Sequence, residues 1–202
     1  MPTAQGEDLL TALKGVAGIL RNSDIEFALG GGLAIWAHGG PPSEHDIDMV
    51  IREADVDRAL DALASAGLRT ERPPEAWLVK AWDGDILVDL IFGPIGLTID
   101  DDFFARCELL DVHAVTMSVM TVEDVLVTKL LALTEHHLDY GPALEYARSL
   151  RELVDWPSLG ARTRSSPFAR AFLCLVTGLG IAPENPPAAA GCSALNQGQG
   201  SV

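Results

Sequence analysis

Two aspartates separated by one residue, Asp46 and Asp48, lie in the stretch LGGGLAIWAHGGPPSEHDIDMVI, in a segment that otherwise reads as a buried strand. Side chains alternate along a strand, so both carboxylates project to one face while Ile47 and Met49 project to the other. Like charges one strand step apart repel in a partly buried place, and a divalent cation held between them relieves the repulsion. Hard carboxylate oxygens without a nearby cysteine suit Mg²⁺ or Mn²⁺, which keep several waters and commonly share substrate phosphates. A third carboxylate, Asp89, sits in ILVDLIF among apolar neighbours. There it is costly unless it ligates a metal, acts as a base or is held by core hydrogen bonds. Upstream, Gly30 to Gly32 open a helix-like run. Such a turn leaves backbone N–H groups unpaired, and the helix dipole favours an anion beside them. The string is neither a P-loop nor a Rossmann fingerprint, since Gly-Lys-Ser/Thr and the third glycine are missing.

The elements that must position these residues alternate in type. Apolar spacing predicts a helix over 7–21, a short strand over 25–29, a helix from about Gly32 and a strand over 45–51. A helix over 54–66 ends at Gly67, and strands over 77–82 and 86–92 flank the polar turn Asp83-Gly84-Asp85. After a less regular acidic stretch at Asp100 to Asp102, HAVTMSV reads as one more strand. From Thr121 the pattern is helical, with Thr121 as an N-cap and Asp124 three residues on. The fold class is therefore α/β in the front half, followed by a helical C-terminal part. The expected divisions are 1–120, 121–182 and a tail over 183–202 whose Pro, Ala, Gly, Ser and Gln composition reads as disordered. Trp36, Trp77, Trp82 and Trp156 read as core or domain-contact residues, and His136-His137 as a surface helix end.

Composition bounds the function. A formal charge of −15, from 29 acidic against 14 basic residues, argues against a general nucleic-acid coat. The three cysteines, Cys107, Cys174 and Cys192, show no C-x-x-C spacing, so a reducing, cytoplasmic setting without a structural zinc site is expected. No apolar run is long enough to imply a membrane span.

GGLA followed by HDIDMVI and LVDLIF resembles the nucleotidyltransferase superfamily of polymerase-β type. The resemblance spans about Ile25 to Phe92 and implies a small mixed sheet with flanking helices. It also implies divalent metal, Mg²⁺ or Mn²⁺, bridging the aspartates and a nucleoside triphosphate. It makes Gly31 and Gly32 a phosphate seat, Asp46 and Asp48 metal ligands, and Asp89 a third ligand that orients or deprotonates the acceptor hydroxyl. MTVEDVLVTKLLAL is similar to the AbiEii-type toxin branch, which includes the mycobacterial MenT toxins. That similarity makes Lys129 a triphosphate contact and Asp139, ahead of Asp155, the further acidic residue at the nucleotide. Ser43 stands where related sequences carry Ser or Thr; the resemblance groups it with the nucleotide residues and implies a position that partner antitoxins of that branch phosphorylate. The branch usually has an arginine shortly before the D-x-D, whereas GGPPSEHDID has none. The favoured expectation is nucleotidyl transfer to the tRNA 3′ end by the toxin of a toxin–antitoxin pair, with an antitoxin as protein partner. The arginine-rich stretch from Arg148 to Arg170 would hold the RNA or pair with the acidic front half. The alternatives are an antibiotic nucleotidyltransferase of aminoglycoside-modifying type and an inactive nucleotide- or partner-binding module.

Overall fold

The computed structural model describes residues 4–43 and 46–183. His45 and nearly all of the expected tail lie outside the described residues. The chain divides into two compact units, Met1–Thr121 and Val122–Val202.

The first unit opens with helix α1, Ala4–Asn22. Its apolar stripe buries Leu9, Leu13, Val16, Ala17 and Leu20. There follow β1 (Phe27–Leu29), α2 (Gly31–Ala37), β2 (Asp46–Ile51), α3 (Val56–Ser65), β3 (Arg69–Glu71), β4 (Leu78–Asp83) and β5 (Ile86–Ile91). The unit closes with α4 (Asp101–Arg106), β6 (Glu108–Val112) and β7 (Val115–Val119). The strands make one seven-stranded sheet in the order β3-β4-β5-β2-β1-β7-β6. It is mixed: β2 runs parallel to β5 and β1 parallel to β7, while β1–β2, β3–β4, β4–β5 and β6–β7 are antiparallel. The central strands bury Ile47, Met49, Ile51, Val88 and Leu90 completely on one face.

Three details depart from the sequence expectations. HAVTMSV holds the second strand of a hairpin, β6–β7, turned by His113 and Ala114 at φ of 48° and 67°. Two successive left-handed residues suit the twist of a two-residue hairpin, yet neither is the glycine or asparagine that usually marks one. The acidic stretch begins α4, where Asp100 caps the helix by accepting from Phe103 N at 3.0 Å. Strand β3 has its two end residues exposed, so it carries no apolar alternation to read. Trp77 is also not a core residue, being 44% exposed, whereas Trp156 is buried and donates to Arg151 O.

The second unit contains α5 (Val122–Leu131), α6 (Gly141–Ser149), α7 (Trp156–Thr163) and α8 (Pro167–Gly178). Asp155 caps α7 through Ser158 N, and Ser166 caps α8 through Ala169 N. Within the unit, Arg162 of α7 forms ion pairs with Glu123 and Asp124 of α5, and Asp124 is 1% exposed. For Arg162, burial is the largest single influence and works against the charge. The hydrogen bonds and charges of Asp124 and Glu123 more than offset it, holding the guanidinium above its ordinary value. One arginine of the expected RNA-binding stretch is thus committed inside its own helical unit. No helix among the described residues is long and apolar enough to cross a membrane.

Removing Arg162 takes its cationic partner away from a buried carboxylate. Arg162→Met is expected to lower unfolding free energy by about 3 kcal/mol in urea melts, and adding Asp124→Leu to recover most of that loss. Equal stability of Arg162→Met and the parent would refute the pairing.

Candidate active site

β1 ends at Leu29, whose carbonyl accepts from Met120 N at 2.9 Å, and the chain then turns through Gly30 into α2. Gly30 N donates to Asp48 O at 2.8 Å, which ties the turn to β2. Gly31 sits at φ +55°, and a Cβ on it would lie 2.7 Å from Asp48 Cγ and collide with the carboxylate oxygen. Only glycine meets both demands. His38 Nε2, at the end of α2, lies 2.9 Å from Met120 O, holding the far side of the turn.

The parallel register of β2 and β5 sets Asp48 opposite Asp89 and Asp46 opposite Leu87. Alternation then puts all three carboxylates on one face. Asp46, Asp48 and Asp89 each offer one oxygen, and these oxygens lie within 4.8 Å of one another. Asp46 and Asp48 are half-buried and Asp89 is buried. This donor set, all hard oxygens and clustered by the sheet register itself, fits an Mg²⁺ or Mn²⁺ ion. It is the one such group of three among the described residues.

The sequence reading missed Lys80. It lies opposite Asp89 in the β4–β5 register, and its Nζ donates to Asp89 Oδ1 at 2.9 Å. The available signal was a lysine inside the apolar run LVKAW, matching the lone aspartate of ILVDL.

The other predicted residues are placed as follows. Gly32 is in the first turn of α2, and Ser43 is half-buried on the loop before β2. Lys129 and Asp139 belong to the second unit. Lys129 lies on α5 with Nζ 5.5 Å from the Tyr146 ring centroid. Asp139 is exposed and accepts from Gly141 N at 2.8 Å, a local turn at the start of α6. His136 pairs with Glu135, and His137 bridges to Thr134, so both histidines form a local turn.

Residues 12–94, which include the whole triad and Lys80, match the family model described as aminoglycoside-2''-adenylyltransferase. A search of curated protein sequences finds no match. Among solved structures, the chain is similar to ANT(2'')-Ia in complex with adenylyl-2''-tobramycin, at TM-score 0.60 and 15% identity over 81% of this chain and 95% of that one. It is also similar to the lincosamide antibiotic adenylyltransferase LnuA bound to lincomycin, at TM-score 0.52 and 12% identity over 70% and 96%. A third neighbour is an antigenic nucleotidyltransferase-like protein from Paracoccidioides brasiliensis, at TM-score 0.51 and 17% identity over 85% and 88%. The fold is a nucleotidyltransferase fold, with the mixed sheet and flanking helices that the resemblance implied. Together with the family match, it supports a nucleotidyltransferase enzyme.

The close approach at Gly31 gives a direct test. Gly31→Ala should lower the thermal midpoint by several degrees through the left-handed φ and the displaced Asp48 carboxylate. Gly15→Ala, in helix α1 with open space around its Cβ, should instead raise stability by about 0.5–1 kcal/mol. A Gly31→Ala protein as stable as the parent would refute the packing described.

Proposed function

We propose that the protein transfers a nucleoside monophosphate from a nucleoside triphosphate, with ATP the first donor to test, to a hydroxyl of a small polar acceptor of the aminoglycoside type. The observation that carries this reading is the convergence of Asp46, Asp48 and Asp89 within 4.8 Å. It falls inside a segment matching an aminoglycoside adenylyltransferase model. The antibiotic-bound neighbours favour a small acceptor over RNA, and nothing in the comparisons supports tRNA or an antitoxin partner.

Asp46, Asp48 and Asp89 would hold the divalent ion, which supplies charge neutralisation at the triphosphate when bound. The acceptor oxygen attacks the α-phosphorus, the bond to the β-phosphate oxygen breaks and pyrophosphate leaves. Asp89, fixed by Lys80, orients the acceptor hydroxyl and takes its proton. Backbone N–H groups at Gly31 and Gly32 would receive phosphate oxygens. The remaining assignments carried by the resemblance, Ser43, Lys129 and Asp139 at the nucleotide, belong to the same proposal.

The test incubates purified protein with Mg²⁺, each α-labelled nucleoside triphosphate in turn and either a panel of aminoglycosides or total tRNA. Label on an aminoglycoside, lost in Asp46→Ala and Asp48→Ala by several orders of magnitude in rate, is the expected result. Label on tRNA would restore the toxin reading, and folded protein with no triphosphate binding would leave an inactive module. Lys129→Met is expected to raise KM for the triphosphate about tenfold, as loss of one charge-assisted contact implies, with the thermal midpoint little changed. Unaltered KM would remove Lys129 from the site.

A further inference from the structure

The row of residues across β3, β4, β5 and β2 at the level of the third carboxylate reads Glu71, Lys80, Asp89, Asp48. Residues opposite one another in register share a face of the sheet, so Lys80 stands on the triad's face, one strand beyond Asp89. Its ammonium donates to Asp89 Oδ1 at 2.9 Å, with the two side chains 25% and 12% exposed. On its other side Glu71 pairs with Arg69 at 3.6 Å, so another cation already meets that charge. At such partial burial the attraction between Lys80 and Asp89 exceeds that of a surface pair.

We propose that Lys80 is the built-in counter-ion of the acidic triad: it holds Asp89 in place before a divalent cation arrives, and it lowers the triad's affinity for that cation alone. The inference rests on the reading of Asp46, Asp48 and Asp89 as the metal site. Three carboxylates within 4.8 Å repel one another, and nearby positive charge relieves that repulsion. Lys80 supplies part of that charge in the metal-free state, and a divalent ion supplies more in the loaded state. Two cations that stabilise one cluster of anions oppose each other's binding, and that coupling is reciprocal. A triad so compensated takes its metal most readily together with a triphosphate, whose own negative charge outweighs the ammonium. The metal then enters as a partner of the nucleotide rather than as a permanent resident. Lys80 is a positioning residue in this scheme, acting through Asp89.

The experiment needs no turnover. Mn²⁺ is titrated by electron paramagnetic resonance into the full-length parent, Lys80→Met, Lys80→Gln and Lys80→Arg, and thermal midpoints are read in chelator and in saturating Mn²⁺. The neutral variants should melt lower than the parent in chelator and bind Mn²⁺ about fivefold or more tightly, the lower end of ordinary coupling between sites. Saturating Mn²⁺ should then narrow their deficit in midpoint, and Lys80→Arg should restore both readings. Neutral variants that fold only with Mn²⁺ would support the same conclusion. An unchanged or weakened Mn²⁺ affinity, with midpoints lowered equally in chelator and in metal, would leave only a structural ion pair and overturn the proposal. Failure of the parent and every variant to bind Mn²⁺ at millimolar concentration would overturn the metal-site reading itself.

Discussion

The carboxylate of Asp48 occupies the volume that a side chain on residue 31 would fill. That single close approach couples three elements. The turn after β1 must carry glycine, β2 must be registered so that Asp48 meets the turn, and the Gly30 N–H must spend its hydrogen bond on the Asp48 carbonyl. β5 then joins β2 in parallel and brings Asp89 opposite Asp48. A one-residue slip of β5 would turn Asp89 to the opposite face and pull the cluster apart. Since Val88 and Leu90 are fully buried on the other face, the apolar core resists that slip. Packing and site geometry therefore enforce the same register.

Charge compensation is the second theme of the molecule. In a chain with formal charge −15, basic groups meet the two buried carboxylates among the described residues, Asp89 and Asp124. Lys80 serves Asp89 and Arg162 serves Asp124, each between neighbouring strands or helices of one unit. Arg52, just after β2, joins Glu26 and Asp101 and stacks 4.7 Å from the Phe104 ring centroid, tying α4 to one end of the β1–β2 pair. The hydrogen bond that Arg52 donates to Glu26, ahead of the opposing effect of burial, holds its guanidinium above the usual range.

The clustering of the three carboxylates and the glycine turn beside them were legible because strand alternation and glycine chemistry are local. Asp46, Asp48 and Asp89 were found from period two and from the cost of burying a lone acid, and Gly31 from the turn. Lys80 escaped because its meaning lies in the pairing of β4 with β5, a contact between strands that no local pattern announces. The His113-Ala114 turn escaped because its left-handed residues lack the usual side chains, and β3 because a short strand with exposed ends has no apolar signature. Asp139 was singled out as an acid near the nucleotide. It accepts a hydrogen bond from Gly141 N, a turn role that aspartate before glycine fills in many loops.

Under the proposed function the triad would fix the chemistry at phosphorus and leave the acceptor open, because the two would reside in different parts of the fold. The carboxylates project from central strands whose register the core enforces. An acceptor, by contrast, meets loops and edges that vary without disturbing that core. Charge supplies the remaining discrimination. A polyanion such as RNA gains affinity by releasing counter-ions from its phosphates to basic groups, and this acidic chain has already drawn Arg162 into a buried pair. A polyamine sugar reverses the sign: its ammonium groups are attracted by the same surplus of carboxylates that an RNA would encounter as repulsion. The net acidity that argued against a nucleic-acid coat at the level of sequence is thus of the sign that the proposed small cationic acceptor requires.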